Sequence, residues 1–363
     1  VQTDEEPVRP SPVPSFKKVI EQYCNDHRSA WTPKTTLEYE SYFKLLLDVL
    51  GDQTVTKYTR DSARDLRDTL TKLPAHVYKR HPNLTLQQVI ALPNITPMST
   101  TTVNKLLTIF GSVMRHCIKE GFRRDNPVEG LKIQKNRRAD EERKAYSKQD
   151  IKKIVTVLPS PTARPERYWV PMIGMYSGMR LGEICGLHIA DIRQVDGVWC
   201  FDINEEDDKQ LKTASSTRLV PIHQRLIDKG LLKLVSKMKN AGHVRLWPNL
   251  VRRELDGYCA ALGNWYSRFN RQYVTEDPQK TFHSFRHSFA DTLKQRGVQE
   301  VMISELMGHV NSSITSGRYG KRYQPKVMLE AISMLDYEEG EDARSEREAA
   351  EQPSEDLGAV TST

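Results

Sequence analysis

The sequence has 363 residues, of which 38% are hydrophobic and 28% charged, and its net charge is +7. This length is sufficient for two domains that each bury a core. No apolar run approaches the roughly 18 residues of a membrane span and no signal peptide is visible, so we expect a cytoplasmic protein without a membrane partner. The five cysteines are scattered and lack CxxC spacing, which predicts reduced core thiols rather than a disulfide framework or a zinc site.

Charge is distributed unevenly along the chain. From Asp336 to the end, ten acids stand against two arginines, a balance of −8, so the preceding residues carry +15. A basic body of this size is typical of proteins that neutralise nucleic-acid phosphates. We expect residues 336–363 to form an acidic disordered tail, and residues 1–12, rich in Pro, Glu and Ser, to be disordered as well.

The first half of the chain, residues 13–130, is predicted to be a helical domain. Helical apolar periodicity follows N-cap residues at Ser15, Thr32 and Ser99, and a further helix is expected at 60–73. These patterns taken alone indicate a four-helix bundle of no particular activity.

A basic linker is expected at residues 131–146, because this stretch is highly charged and lacks apolar periodicity. A second domain, 147–335, then opens with Ser147 and Asp150 at the spacing of a capping box. Within it, alternating residues predict two strands at 198–203 and 217–222, with helices on both sides.

Cationic and aromatic side chains cluster between Thr281 and Tyr319. His283, Arg286 and His287 fall at spacings of three and four, so on a helix they share one face. Arginine donates to phosphate oxygens in pairs, histidine can transfer a proton, and tyrosine offers a nucleophilic hydroxyl. The cluster therefore indicates a phosphate substrate.

Three motifs resemble those of the tyrosine recombinases, the phage-integrase family. The first is His-x-x-Arg-His, then Leu-Met-Gly-His, then Tyr319. The second is YSGMRLGEICGL, with Arg180 and Glu183, and the third is KTASSTRLVPI, with Lys212. The resemblance implies a mainly α fold with a small β-sheet (α+β): a helical core-binding domain followed by a mixed α/β catalytic domain.

The resemblance also implies a set of site residues. The catalytic ones are Arg180, Lys212, His283, Arg286, His309 and Tyr319, and the supporting ones are Glu183 and His287. In the implied reaction the tyrosine attacks the scissile phosphate and forms a 3′-phosphotyrosyl link. The arginines hold the nonbridging oxygens, and the lysine protonates the leaving 5′-oxygen. His283 acts as acid or base for the tyrosine proton, and His309 hydrogen-bonds the phosphate or positions the nucleophile. This transesterification requires no cofactor, neither ATP nor a divalent metal.

Alternatives remain for several of these residues. Lys209 lies three residues before Lys212 on the same polar loop, and Tyr323 lies four residues after Tyr319. His287 can be a supporting residue or a buried histidine satisfied by backbone. A zinc site using His283 and His287 is disfavoured because the glutamate of HExxH is absent and no third ligand stands out.

The predicted function is a site-specific DNA recombinase, an integrase of a phage or other mobile element. The implied partners are double-stranded DNA with specific recombination sites, a homo-tetramer on synapsed DNA, and accessory DNA-bending or directionality proteins. Two alternatives are a topoisomerase IB-like nicking and resealing enzyme and a catalytically silent DNA-binding protein. A covalent protein–DNA adduct distinguishes the enzymes from the silent binder.

Overall fold

The computed structural model describes residues 13–134, 144–209, 216–309 and 322–337. The chain divides into two compact units, Val1–Arg138 and Ala139–Thr363. Both predicted disordered ends lie outside the described residues, apart from Asp336 and Tyr337, as does the middle of the predicted linker. Leu131 is buried in the core of the first unit and Tyr146 in the core of the second, so these linker residues pack as parts of the units.

The first unit is helical. Its helices are α1 (Phe16–His27), α2 (Pro33–Leu50), α3 (Arg60–Leu70), α4 (Val77–Arg80), α5 (Leu86–Ile90) and α6 (Thr100–Lys119). The side chains of Ser15, Thr32 and Ser99 each accept a backbone N–H three residues later, which satisfies a donor that the helix leaves unpaired. The apolar faces meet in one core, where the Phe16 ring packs edge-on against Tyr58 and Phe110.

The second unit places helices around a small sheet. Its helices are α7 (Lys148–Val157), α8 (Pro165–Ser177), α9 (Leu181–Cys185), α10 (Gln224–Asp228), α11 (Leu231–Asn240), α12 (Ala260–Phe269), α13 (His283–Gln295), α14 (Glu300–Met307) and α15 (Pro325–Ser333). A π-helical turn, Asn270–Val274, extends α12. No helix of the described residues is long and apolar enough to cross a membrane. The predicted α+β class, mainly helical with a small sheet, is confirmed.

The sheet has three antiparallel strands in the order β1 (Ile192–Val195), β2 (Val198–Ile203) and β3 (Arg218–Pro221). The prediction of two strands missed β1, which has only four residues and exposes the two polar ones at its centre. Asp196 and Gly197 join it to β2 with positive φ values of 51° and 79°. An Asp-Gly pair between apolar residues is a hairpin signal, and it accounts for the register of Val195 opposite Val198.

Helices α8 and α13 pack closely through glycine. A Cβ on Gly174 would lie 2.8 Å from the Phe282 ring, and one on Gly178 would lie 2.6 Å from the Phe289 ring. Gly178 also has a φ of 62°, the left-handed conformation in which it ends α8. The absence of these side chains brings the end of α8 against the face of α13 that carries Arg286.

Candidate active site

Arg180 is held in place at the start of α9 by the next turn of the same helix. Its backbone N–H donates to Glu183 Oε2 over 2.9 Å, and its Nη1 donates to Glu183 Oε1 over 2.7 Å. The guanidinium also donates to Ser216 Oγ (3.3 Å) and to the Gly308 carbonyl (3.4 Å). A quarter of the Arg180 side chain remains exposed, so it can also reach a ligand.

Glu183 is a buried carboxylate shared by two arginines. Arg218 on β3 donates to it with both terminal nitrogens, Nη2 to Oε2 at 2.9 Å and Nη1 to Oε1 at 3.2 Å. Burial would raise the pKa of Glu183, but the Arg218 charge and the hydrogen bonds from Arg218 and Arg180 outweigh it and lower that pKa. Glu183 is therefore ionised and fixes both guanidiniums.

Carbonyls at the C-terminal ends of α8 and α14 hold the buried arginines. Arg286 Nη1 donates to the Gly178 carbonyl over 2.7 Å, and its Nη2 donates to the Met307 carbonyl. Arg218 Nε donates to the Leu306 carbonyl over 2.7 Å. Terminal helix carbonyls have no partner within the helix and carry partial negative charge. Guanidiniums are suitable partners for them, and the two helix ends thereby orient the arginines.

Gly308 is required where α14 meets Arg218. It ends the helix with a φ of 62°, and a Cβ there would lie 2.9 Å from Arg218 Nη1. Its neighbour His309 donates its backbone N–H to the Ser304 carbonyl over 2.9 Å. The Gly308-His309 motif thus brings a histidine next to the arginine cluster.

The cluster has more positive than negative charge. Burial, and then repulsion from Arg180 and Arg218, lowers the pKa of Arg286 to about 9. Partial burial, followed by repulsion from Arg286, Arg180 and Arg218, lowers the pKa of His309 to about 4. At neutral pH Arg286 remains charged and His309 is neutral. Three guanidiniums around one carboxylate leave a local excess of two positive charges, which an anion can neutralise.

His283 and His287 lie on one face of α13, as predicted. Their ring centroids are 5.0 Å apart at an interplanar angle of 75°. His283 is half-buried and shares a cavity wall with Arg180, which places it beside the arginine cluster. The described residues contain no group of three or more His, Cys, Asp or Glu that could hold a metal ion.

The structure thus brings together Arg180, Arg286 and His309, with Glu183 beneath them and His283 and His287 on the adjoining face. Lys212 and Tyr319 lie outside the described residues.

Both alternative residues are held by neighbouring side chains. Lys209 Nζ is 2.6 Å from Asp191 Oδ1 in a buried ion pair. Tyr323 donates its backbone N–H to Glu305 Oε1 over 3.0 Å, and its hydroxyl lies 3.4 Å from Gln299 Oε1.

Arg218 is the main site residue that the motif reasoning did not select. It was part of the quoted Arg-Leu-Val-Pro string, but an arginine in a strand next to apolar residues does not indicate which partner it has. Arg218 is only 2% exposed, and a buried charge must be paired. The signal that could have found it is an arginine at a strand position expected to be buried.

Residues 144–324 match a known family, described as the phage integrase family. Among curated proteins, the chain is 26% identical to a tyrosine recombinase XerC-like protein of Caldanaerobacter subterraneus subsp. tengcongensis, over 65% of this chain and 66% of that protein. It is 25% identical to the ICEBs1 integrase of Bacillus subtilis, over 66% of this chain and 67% of that protein. The matches thus span about two thirds of the length of these relatives.

Solved structures share the fold at low sequence identity. A lambda integrase dimer bound to a COC′ core site gives a TM-score of 0.57 at 15% identity, covering 85% of this chain and 98% of that one. A Tn1549 transposon integrase in complex with circular intermediate DNA gives a TM-score of 0.59 at 15% identity, covering 93% of this chain and 99% of that one. These likenesses concern the fold alone.

Proposed function

Because the chain belongs to the phage integrase family of tyrosine recombinases, as its motifs predicted, we propose that it is a site-specific DNA recombinase. The observation that carries the proposal is the excess positive charge around Arg180, Arg218 and Arg286, next to a neutral His309. A phosphodiester fits this charge, because its nonbridging oxygens gain negative charge as a nucleophile attacks.

In the proposed cleavage step, the Tyr319 hydroxyl attacks the scissile phosphorus. The tyrosine oxygen forms a bond to phosphorus, and the bond from phosphorus to the 5′-oxygen breaks. Arg180 and Arg286 bind the nonbridging oxygens with those guanidinium N–H groups that do not already donate to backbone carbonyls or to Glu183. Their contacts to helix ends and to Glu183 are formed before DNA arrives, so little reorganisation is needed during the reaction.

Two proton transfers accompany the step. His283 accepts the tyrosine proton, and Lys212 gives a proton to the leaving 5′-oxygen, because an alkoxide is a poor leaving group. His309, kept neutral by its surroundings, donates a hydrogen bond to the phosphate or positions the nucleophile. Rejoining reverses the step: a 5′-hydroxyl attacks the phosphotyrosine, and Tyr319 is released.

The proposed substrate is duplex DNA of a mobile element. One of the relatives named above is the integrase of ICEBs1, and one structural neighbour is a transposon integrase bound to DNA. In this proposal residues 13–130 bind the duplex and residues 147–335 carry the chemistry. Four copies act on two synapsed sites, by analogy with the lambda integrase tetramer on a Holliday junction. Accessory DNA-bending or directionality proteins complete the proposed partners.

Covalent trapping tests the reaction class and the nucleophile together. The substrate is a duplex from the DNA that flanks the coding sequence, nicked near the scissile phosphate so that the cut strand diffuses away. We expect wild-type protein to form a denaturation-resistant adduct, and we expect Tyr319→Phe to form none.

Tyr323→Phe is the matched control, because it removes the same atom from the neighbouring tyrosine. It should leave the adduct yield close to that of the wild type, since the Tyr323 backbone is held against α14 by Glu305. Loss of the adduct with Tyr323→Phe but not with Tyr319→Phe would identify Tyr323 as the nucleophile. Tight binding without any wild-type adduct would support a silent DNA-binding protein.

A further inference from the structure

Two cavities of similar size in the second unit differ in charge. One, of about 260 Å³, is lined by charged, polar and apolar residues from the start of α9, from α12 and its π-helical turn, and from the start of α13 with the residues just before it. Among them are Arg180, Ser267, Arg271, Lys280, Thr281 and His283. The other, of about 240 Å³, has Glu183, Asp191, Asp202, Asp208, Glu254 and Asp256 in its wall, with Lys209 and Arg252. We call them the cationic cavity and the acidic cavity. None of the residues that line the cationic cavity is Asp or Glu.

Arg271 is one of two cations of this cavity that the proposed mechanism does not use; the other is Lys280. Its Nη1 donates to the Thr275 carbonyl and its Nη2 to the Lys280 carbonyl, both over 3.0 Å. These partners in the described part of the chain are neutral carbonyls, so they orient the guanidinium without cancelling its charge. Lys280 differs, because its Nζ is paired with Asp150.

The backbone around Arg271 is fixed by a buried amide. Asn270 is 1% exposed, and its Nδ2 donates to the same Lys280 carbonyl over 2.8 Å. Its Oδ1 accepts from the Tyr146 hydroxyl over 3.0 Å. Asn270 and Arg271 lie in the π-helical turn that follows α12, and such turns are frequent at functional sites. The Arg271 guanidinium is therefore held in place before any ligand binds.

We propose that the cationic cavity is a subsite for a second backbone phosphate of the duplex, next to the scissile one, and that Arg271 binds it. The inference rests on the proposed function, because it assumes that the scissile phosphate lies on Arg180 and Arg286. Arg180 borders both positions, so neighbouring phosphates of one strand can occupy them. A phosphate contact of this kind sets the register of the duplex and does not read its bases.

A scan of single neutral phosphates tests the subsite. In each duplex one phosphodiester flanking the scissile one is replaced by an uncharged methylphosphonate, and the dissociation constant is measured. For wild-type protein, the replacement at one position should weaken binding on the order of tenfold, because the charge-assisted pair between Arg271 and that phosphate is lost. This arm requires no variant, so protein folding does not affect it.

The same scan with Arg271→Ala tests which residue is responsible. On the unmodified duplex this variant should bind on the order of tenfold more weakly, with a salt slope reduced by about one. On the duplex that carries the methylphosphonate at the sensitive position, Arg271→Ala should bind as tightly as the wild type, because the two changes remove the same contact. Arg271→Lys keeps the charge and should recover part of the affinity.

Arg268→Ala is the matched control. Arg268 is an exposed arginine one turn earlier in the chain, and it does not line the cavity. Its loss should leave the sensitivity to that neutral phosphate unchanged. Melting temperatures of all variants are measured, because Arg271 also holds two carbonyls.

Two results would overturn the subsite. One is a wild-type protein that tolerates every flanking methylphosphonate. The other is an Arg271→Ala variant whose penalty adds fully to that of the neutral phosphate. A wild-type adduct on the unmodified nicked duplex in the same experiments would show that the proposed reaction stands even where the subsite fails. Absence of that adduct, with phosphate sensitivity retained, would reject the reaction and leave the binding subsite.

Discussion

The second unit contains two ion networks that differ in charge balance. Around Glu183, two guanidiniums pair with one carboxylate, and the buried Arg286 guanidinium lies near enough to repel them. Around Asp191 and Asp208, the partners are Lys209 and Arg245, with His188 lying 3.1 Å from a further carboxylate, Asp207. The first network has excess positive charge, whereas the carboxylates of the second at least match its cations.

The difference in charge balance predicts which of the two networks binds a ligand. A buried charge is costly unless it is paired, so a stable protein keeps an excess of like charges where a ligand of opposite charge binds. The Asp191–Lys209 pair is complete without a ligand, and we expect it to serve stability. We expect the Glu183 network to be completed by a bound anion. Substitutions that alter one network and spare the other test this distinction.

Arg286→Lys should have the largest effect. Lysine keeps the positive charge but lacks the planar five-donor fork with which arginine reaches both helix ends and a phosphate, so we expect the rate of adduct formation to fall about 100- to 1000-fold. Single-turnover trapping on the nicked duplex measures it. Arg193→Lys is the control, because Arg193 pairs with Asp202 on the exposed side of the sheet. A rate close to that of the wild type with Arg286→Lys would show that charge alone is sufficient.

Arg218→Met should reduce stability more than Arg245→Met does. Removing Arg218 leaves Glu183, 5% exposed, with Arg180 as its remaining arginine, and we expect the free energy of unfolding to fall by about 3 kcal/mol. Arg245 pairs with Asp208, whose side chain is 44% exposed, so its loss should cost below about 1 kcal/mol. Urea denaturation compares the two. Equal losses would remove the distinction between the networks.

Gly308→Ala and Gly297→Ala form a matched pair for the end of α14. Both glycines have positive φ, 62° and 80°, so each substitution should cost about 1 kcal/mol of unfolding free energy. A Cβ at 297 meets no atom within 4 Å, whereas one at 308 overlaps Arg218. We expect only Gly308→Ala to lose a further ~1 kcal/mol or more and to slow adduct formation. An equal effect of both on the adduct would contradict the proposed role of Gly308.

At neutral pH, the titration of His309 should have the smallest effect on stability. Its pKa in the folded protein is about 4, below the ordinary value for histidine. The unfolded chain therefore binds the proton more readily, so this residue lowers stability as the pH falls from about 6.5 towards about 4. NMR titration of the imidazole measures the pKa directly. Addition of inorganic sulfate should raise it, because an anion reduces the repulsion from the arginines, and an unchanged pKa would contradict anion binding there.

Much of this architecture follows from local sequence signals. Helix starts at Ser15, Thr32, Ser99 and Ser147 were predictable because a cap acts over three residues. The shared face of His283, Arg286 and His287 follows from helical spacing in the same way. The strand β1 was missed because four residues with a polar centre give too short an alternation.

Other features depend on contacts between distant residues. Arg218 reaches Glu183 across 35 positions and Leu306 across 88, and Arg286 reaches Gly178 across 108. No local pattern specifies such partners, because they depend on how helices and strands pack. The residue types of the arginine cluster were therefore visible in the motifs. Its excess of charge and the carbonyls that hold it were decided by the tertiary structure, because only packing determines which charges are buried together.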